Sequence, residues 1–315
     1  MMIGRDLPSS ATVVDVGLRD GLQAVENVLD TDAKLEILNG LLASGFTTLE
    51  ITSFAHPRVL PQFADAERVI ADAPRTPGVT YKALVPNFKG ALRALETKID
   101  EIVMVVPVDP ETARRNQNAT PDQLLAALAE VVDHAHASGK KVSAAVATAF
   151  FATCRGPIPN NELKGALRRV IDAGVDSLYL AGTSGMEIPS EFENGIALAK
   201  SLAPDIPVGV HLHNRNGFGP INALAALAAG ADWLEASFGG LGGDMWFPGD
   251  KSVLGNAPME DVLNLLNSMG VATGIDLDRY LDVVRYSEKV TGTDSYSFLS
   301  RGGTRDDVAR TQWLD

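Results

Sequence analysis

The stretch "VVDVGLRDGLQ", from Val13 to Gln23, shows how the chain is organised. It begins as a short run rich in valine, which is typical of a buried strand, and passes directly into the charged pair Arg19 and Asp20. In barrels of parallel strands, functional side chains stand where the strands end. The stretch therefore predicts a strand that is followed at once by residues of a functional site.

Seven further runs of the same kind recur along the chain. They are "TTLEI" from Thr47, "TYKALVP" from Thr80, "EIVMVV" from Glu101, "KVSAAVAT" from Lys141, "DSLYLAG" from Asp176, "PVGVHLH" from Pro207 and "DWLEAS" from Asp232. Segments between them, such as "DAKLEILNGLLASG" and "INALAALAAG", place apolar residues at helical spacing and end on glycine. Eight strands that alternate with helices predict an α/β fold, a (β/α)8 TIM barrel. An open doubly wound sheet is the alternative, and the absence of GxGxxG after the first strand disfavours its dinucleotide-binding form.

The chain continues beyond the last predicted strand. Two amphipathic segments, "MEDVLNLLNSMG" and "LDRYLDVVRYSEKV", follow Pro258 and predict two additional C-terminal helices. The tail after them has no clear period. We therefore expect residues 1–257 to form the barrel and residues 258–315 to form a helical extension that packs on it and is not an independent domain.

The composition narrows the class of protein. Hydrophobic residues make up 45% of the chain and charged residues 21%, which is typical of a globular protein. The chain has 40 acidic and 27 basic side chains, a formal charge of -13 and no basic tract, so nucleic acid and anionic membranes are poor partners. A single cysteine, Cys154, excludes an internal disulfide. With no signal peptide or membrane-spanning segment in the pattern, we expect a cytoplasmic protein.

Two His-x-His pairs occur, and geometry separates them. His211 and His213 end a predicted strand, where residues i and i+2 point to the same side, so both rings can face one point. His134 and His136 lie in a predicted helix, where the same spacing turns the side chains about 200° apart. The strand pair therefore predicts a metal site, with two hydrogen-bonded core histidines as the alternative.

Further polar residues lie at or near the predicted strand ends. Glu50 is in the second strand and Asn87 follows the third, while the glycine-rich stretch "FGGLGGDMWFPGDKSVLGN" after the eighth strand ends at Asn256. Glycines of that stretch predict a loop that moves over a substrate, and a flexible connection is the alternative. Imidazole, carboxylate and amide oxygen together suit Mg2+, Mn2+ or Zn2+. An arginine beside such a cation, held by a carboxylate, is suited to stabilise an enolate; a purely structural Arg19–Glu50 ion pair is the alternative.

Five motifs together resemble those of one family. "DVGLRDGLQ", "LEITSF", "VPNFKG", "VHLHNRNGFG" and "GLGG" followed by "GN", in this order, resemble the 3-hydroxy-3-methylglutaryl-CoA lyases, and the similarity runs from Thr12 to Val290. The resemblance implies a TIM barrel that binds a divalent metal, with Mg2+ or Mn2+ expected before Zn2+. It implies the following metal ligands: Asp20, His211, His213 and Asn256.

The resemblance also implies roles for other residues. Arg19 is expected to stabilise an enolate, and Glu50 is expected to support Arg19. The segment "RRNQN", which contains Asn116, resembles the substrate-side loops of the family, as does the motif around Asn87. We expect these residues to contact the substrate: Gln23, Asn87 and Asn116.

Two positions depart from the family pattern. The family carries a catalytic cysteine directly after "GLGG", and this chain has Asp244 there. After the sixth strand the family reads "LGDT", and this chain reads "LAGT", with Gly182 in place of the aspartate. Cys154 follows the fifth strand and does not replace the missing cysteine. We expect Asp244 to act as the acid/base group, because a carboxyl group under a closed loop can have its pKa raised by desolvation; an exposed loop carboxylate is the alternative.

The sequence thus predicts a metal-dependent carbon–carbon lyase that cleaves a β-hydroxy acyl-CoA, or a related β-hydroxy acid, through an enolate. One alternative is the reverse reaction, a Claisen-type or aldol condensation of an acyl-CoA with an α-keto acid. The other is a degenerate barrel that only binds a metal or a metabolite. The expected partners are a small-molecule substrate, as a CoA thioester, and a second copy of the chain in a homodimer.

Overall fold

The computed structural model describes residues 7–243 and 255–313. Eight parallel strands close into a barrel in the order β1, β10, β9, β8, β5, β4, β3, β2, so the barrel is confirmed and the open sheet is excluded. A short antiparallel hairpin, β6 and β7, lies outside it. The strands are β1 (Thr12–Asp15), β2 (Thr48–Ser53), β3 (Thr80–Val85), β4 (Glu101–Pro107), β5 (Lys141–Ala147), β6 (Phe151–Ala152), β7 (Gly156–Pro157), β8 (Ser177–Gly182), β9 (Val208–Leu212) and β10 (Trp233–Ala236).

Helices surround the barrel and bury their apolar faces against its outer side. Local capping signals start several of them: the Thr120 side chain accepts from the backbone N–H of Gln123, whose side chain bonds back to Thr120. The helices are α1 (Thr31–Ala43), α2 (Ala66–Asp72), α3 (Phe88–Leu95), α4 (Pro110–Gln117), α5 (Pro121–Ala137), α6 (Asn160–Asp172), α7 (Pro189–Leu202), α8 (Gly219–Ala228), α9 (Met259–Ser268), α10 (Leu277–Thr291), α11 (Leu299–Gly302) and α12 (Arg305–Arg310). None of the described helices is long and apolar enough to span a bilayer.

The barrel interior contains charges as well as apolar side chains. Lys82 pairs with Glu101 across β3 and β4, at 3.0 Å, and its ammonium lies 4.9 Å from the centre of the Trp233 ring. Gly209 makes room for that ring, because a Cβ at this position would lie 2.1 Å from Trp233 Cε2. The interior is therefore packed around an indole that only a glycine neighbour admits.

The end of β1 turns sharply into the site. Residues Gly17–Gly21 form a single π-helical turn, in which the backbone N–H groups of Arg19, Asp20 and Gly21 all point to the carbonyl of Val16. The buried Asp15 carboxylate accepts from Gly17 N–H at 2.7 Å and from the Tyr280 hydroxyl of α10. The turn thus connects the strand to the C-terminal helices, and π-helical turns are frequent at functional sites.

The C-terminal helices α9 and α10 are confirmed; α10 packs against α1, and its Tyr280 ring lies 5.2 Å from the ring of Phe46, which follows α1. In the tail, the Ser297 hydroxyl donates to Asp261 of α9 at 2.6 Å. The tail also contains two short helices that the sequence pattern does not predict, and α12 buries none of its residues. The boundary between barrel and extension at residue 257 stays a prediction.

The packing at Gly209 predicts the effect of one added methyl group. Gly209→Ala is expected to lower the free energy of unfolding by about 1–3 kcal/mol, because Trp233 has to move. Chemical denaturation followed by circular dichroism measures it. Gly165→Ala in α6 is the matched control, since among the described residues nothing beyond its own helix backbone and chain neighbours lies within 4 Å of its added Cβ, and it is expected to stabilise by roughly 0.5–1 kcal/mol. Equal effects of the two changes would contradict the packing argument.

Candidate functional site

Three side chains meet at the C-terminal end of the barrel. Asp20 Oδ2 lies 3.9 Å from the Nε2 atom of His211 and 3.9 Å from that of His213. One potential ligand atom of each residue lies within 4.8 Å of the others, and all three residues are buried. His211 lies in β9 and His213 directly follows it, and the i, i+2 spacing turns both rings to one point, as the sequence predicts. The cluster is a possible metal site.

Asn256 completes the cluster from a distant part of the chain. Its backbone forms an antiparallel bridge with His213, which brings it to the barrel end. Its amide nitrogen donates to Asp20 Oδ2 at 2.6 Å and to the carbonyl of Leu241 at 2.9 Å. Its buried Oδ1 has no hydrogen-bond partner among the described residues. A buried oxygen without a donor is a suitable ligand for a cation.

Arg19 is held in place by two carboxylates. Its Nε donates to Glu50 Oε2 at 2.8 Å, and its Nη1 donates to Asp20 Oδ1. The Nη2 atom of Arg19 makes no hydrogen bond in the described part of the chain, and Arg19 lines the cavity. The two N–H groups of Nη2 therefore remain for a bound molecule. The ion pair between Arg19 and Glu50 that the sequence predicts is therefore present in the structure.

Burial and charge oppose each other in this cluster. Burial alone raises the pKa of Asp20, but the charges of Arg19, His211 and His213 outweigh it and leave the pKa below its usual range. Burial also raises the pKa of Glu50, and Glu235 adds to this, while Arg19 opposes both. Burial by itself lowers the pKa of Arg19, but the carboxylates of Glu50 and Asp20 outweigh burial and raise the pKa above its usual value. The guanidinium therefore stays charged.

A cavity of about 370 Å³ opens in front of these residues. Each of the predicted substrate contacts, Gln23, Asn87 and Asn116, is part of its wall. Gln23 also donates to Asp20 Oδ1 at 3.2 Å and to the Gly243 carbonyl at 3.4 Å, whereas the Asn87 side chain caps α3 by accepting from Gly90. The wall is otherwise largely apolar and includes Ala55, Val59, Leu60, Leu84, Pro86 and Val105.

The glycine-rich loop begins in close contact with the cluster. A Cβ on Gly242 would lie 2.3 Å from the Asn256 amide nitrogen and 2.9 Å from Asp20 Oδ2, and its φ is +123°. This glycine is therefore required by close packing and backbone geometry, in addition to any motion of the loop. Asp244, for which we predict acid/base chemistry, lies outside the described residues.

Gly182 is the last residue of β8, and it is not part of the cavity wall, although its neighbour Thr183 is. A Cβ on Gly182 would lie 2.7 Å from Phe192 Cζ and 3.2 Å from Glu187 Oε2. An aspartate does not fit at this position without displacing the Phe192 ring. The surroundings of this glycine are thus adapted to the absence of a side chain.

The structure adds two site residues that the sequence analysis missed. Glu235 is 1% exposed and lies 3.3 Å from His211 Nδ1, and the Tyr179 ring stacks on the His211 ring at 5.8 Å. A charged residue inside the buried run "DWLEAS" was the available signal for Glu235. The other histidine pair has separate partners: His134 bonds to the Glu130 carbonyl and His136 to Asp176.

Comparison with known proteins agrees with this geometry. A family model described as HMGL-like matches residues 10–286. The chain belongs to the HMGL-like family. The resemblance found in the sequence motifs is thereby confirmed.

Relatives of this HMGL-like chain include two lyases. It is 30% identical to the hydroxymethylglutaryl-CoA lyase YngG of Bacillus subtilis, over 90% of this chain and 94% of that protein. It is 29% identical to the (R)-citramalyl-CoA lyase of Chloroflexus aurantiacus, over 93% of this chain and 95% of that protein. Among solved structures, an HMG-CoA lyase from Acinetobacter baumannii in complex with coenzyme A and 3-methylmalate superposes with a TM-score of 0.91, 31% identity and 98% coverage of both chains.

The buried Glu187 predicts a pH dependence of stability. Burial raises its pKa from 4.5 to about 7, although the hydrogen bonds that Ser184 donates to the carboxylate lower it. The folded protein therefore binds this proton more tightly than the unfolded chain, and the contribution to stability present below pH 4.5 is lost as the pH rises through 7. The free energy of unfolding therefore decreases as the pH rises from 4.5 to 7. Glu187→Gln is expected to make this decrease smaller by about 1–3 kcal/mol.

Denaturant unfolding of both forms at a series of pH values between 4.5 and 8 measures the difference. Glu36→Gln, which changes an exposed glutamate of α1, is the matched control and is expected to leave the pH profile unchanged. Parallel profiles for Glu187→Gln and the unaltered chain would show that this carboxyl does not cause the pH dependence.

Proposed function

We propose that this chain is a divalent-metal-dependent carbon–carbon lyase that cleaves a β-hydroxy acyl-CoA through an enolate. The observation that carries the proposal is the buried cluster of Asp20, His211 and His213 beside Arg19, at the end of the barrel where such enzymes act. The lyase relatives support the reaction class. The coenzyme A in the related structure supports a CoA thioester as substrate.

The residues present fit a divalent cation. They offer two imidazole nitrogens, a carboxylate and the unpartnered amide oxygen of Asn256, which is a mixed set suited to Mg2+ or Mn2+ and, as an alternative, to Zn2+. We propose that Asp20, His211, His213 and Asn256 hold this ion. When bound, the ion supplies a Lewis acid that polarises the hydroxyl and carbonyl oxygens of the substrate.

Arg19 has the geometry to stabilise the developing negative charge. Glu50 and Asp20 fix two of its nitrogens, so the guanidinium is oriented before the substrate binds. Arg19 lines the cavity, and we propose that its Nη2 group donates to the reacting carbonyl oxygen, on which charge accumulates as the carbon–carbon bond breaks. Preorganised donors of this kind typically contribute about 10²–10³ in rate each.

We propose that Asp244 moves the proton that the cysteine moves in the related lyases. Gly242 and Gly243, the two residues before it, lie against Asp20 and Gln23, and this proximity supports the assignment. Cleavage requires a base to take the substrate hydroxyl proton and an acid to protonate the enolate carbon. Gln23, Asn87 and Asn116 are proposed to orient the substrate in the cavity.

The homodimer and the cytoplasmic location stay predictions. Sedimentation velocity at several concentrations measures the oligomeric state. A mass of one chain at micromolar concentration would contradict the dimer.

A substrate panel tests the proposed reaction. The protein is stripped of metal with EDTA, dialysed, and assayed with and without Mn2+ or Mg2+ on 3-hydroxy-3-methylglutaryl-CoA, citramalyl-CoA and other β-hydroxy acyl-CoAs. We expect mass spectrometry to detect an acyl-CoA and a keto acid from at least one compound only when metal is present, and Asp20→Ala to abolish this turnover. Silence of the whole panel, in both the cleavage and the condensation directions, would favour the degenerate binding barrel.

The proton-transfer role of Asp244 predicts a selective loss of rate. Asp244→Ala is expected to lower kcat by about 10²–10⁴ with the active substrate, because the reaction loses its general acid/base. Steady-state kinetics at fixed metal concentration measures this. Cys154→Ala is the control: this thiol is exposed in the β6–β7 hairpin, and its removal is expected to leave kcat unchanged. A loss in the Cys154 variant and none in the Asp244 variant would assign proton transfer to the thiol instead.

A further inference from the structure

We propose that Glu235 is a positioning residue, which holds the ring of His211 so that its Nε2 atom faces Asp20, and that Trp233 holds Glu235 in turn. The proposal rests on the proposed function, since it gives His211 the role of a metal ligand. It concerns a row of side chains inside the barrel, beneath the cavity.

Strand register places the two partners side by side. Glu235 of β10 pairs with His211 of β9 in the parallel ladder, and both side chains point into the barrel. Glu235 Oε2 lies 3.3 Å from His211 Nδ1, on the opposite side of the ring from Nε2, which lies 3.9 Å from Asp20. The contact therefore defines the rotation of the ring about its side-chain bonds.

The same contact selects a tautomer. A carboxylate only accepts hydrogen bonds, so Nδ1 has to carry the proton for the contact to be favourable. In the neutral ring this leaves the lone pair on Nε2, the atom that faces Asp20. A ring with its proton on Nε2 would turn a donor toward the proposed cation and could not bind it.

Glu235 is itself fixed from the other side. Trp233, two residues earlier on the same strand face, donates its indole N–H to Oε1 at 2.9 Å. Both carboxylate oxygens therefore have a donor, at two different angles, and the side chain has little freedom to rotate. The arrangement agrees with a second carboxylate that orients a ligating histidine, a common feature of metal sites.

Lys82 extends the row to β3. Its ammonium lies 4.9 Å from the Trp233 ring centre and pairs with Glu101 at 3.0 Å. Burial lowers the pKa of Lys82, but Glu101 and Glu235 outweigh burial and raise it, so the ammonium stays charged. Gly209, the neighbour of Trp233 in the ladder, leaves the space that the indole needs.

The test replaces one carboxylate oxygen by an amide. Glu235→Gln keeps the volume but puts an NH2 donor in place of one carboxylate oxygen; because the indole N–H of Trp233 can only donate, the amide oxygen faces Trp233 and the NH2 group faces His211 Nδ1. Two measurements on the full-length, metal-free protein report on the change: the tautomer of His211 by nitrogen NMR of ¹⁵N-histidine-labelled protein at pH 8, and the affinity for Mn2+ by calorimetry. The His211→Ala spectrum assigns the resonance among the five histidines.

We expect the unaltered chain to carry the His211 proton on Nδ1, and Glu235→Gln to shift the ring toward the other tautomer and to weaken Mn2+ binding about 10–100-fold. Trp233→Phe, which removes one donor to Glu235, is expected to weaken binding about fivefold. Glu187→Gln alters an equally buried carboxyl that has no contact with His211, and it is expected to change neither quantity.

An Nε2–H tautomer in the unaltered chain would overturn the proposal, as would a Glu235→Gln variant with the original tautomer and the original affinity. These results leave the proposed lyase function intact if the unaltered chain binds Mn2+. If the unaltered chain does not bind Mn2+, the proposed metal site fails, and the role of Glu235 fails with it. The tautomer is measured without metal, so the two failures are distinguishable.

Discussion

The structure depends on the need to pair charges that the barrel buries. Arg19 and Asp20 are each 5% exposed at the end of the first strand, and an unpaired charge in that position is costly. Glu50 from the neighbouring strand and Asn256 from beyond the last strand supply the missing partners. These partners offset the cost of burying the charges, and they also fix the orientation of the charged side chains. The same contacts therefore stabilise the fold and preorganise the site.

Close approach of backbone and side chain is the second constraint. Glycines in the barrel and at its C-terminal end lie where a Cβ would overlap a neighbour, among them Gly17 at Phe238, Gly209 at Trp233 and Gly242 at Asn256. Each removes a side chain so that another group can reach the interior. These glycines therefore contribute to the site because they leave space for neighbouring side chains. This role is separate from any flexibility that glycine gives to a loop.

The departures from the lyase pattern occur around a cluster whose motifs match that pattern, namely Arg19, Asp20, His211 and His213. Gly182 replaces an aspartate, and Phe192 and Glu187 lie against the position where its Cβ would be. Asp244 replaces a cysteine directly after two glycines that contact the cluster. Because the groups proposed to stabilise the enolate are present and the proton-transfer groups differ, we infer a change in substrate or in proton transfer within the same enolate chemistry.

The sequence alone determined eight strands alternating with helices and favoured the barrel, because few arrangements bury both kinds of segment, and the strand order of the structure excluded the open sheet. It also determined that His211 and His213 face one point, since the period of a strand is two residues. Only the tertiary structure decided which partners complete them: Asn256 and Glu235 reach the site through the bridge to His213 and through the β9–β10 register. The occupied space at Gly182 likewise depends on Phe192 of α7. Local patterns determine periodicity and strand ends, whereas register and packing between distant segments follow from closing the whole barrel.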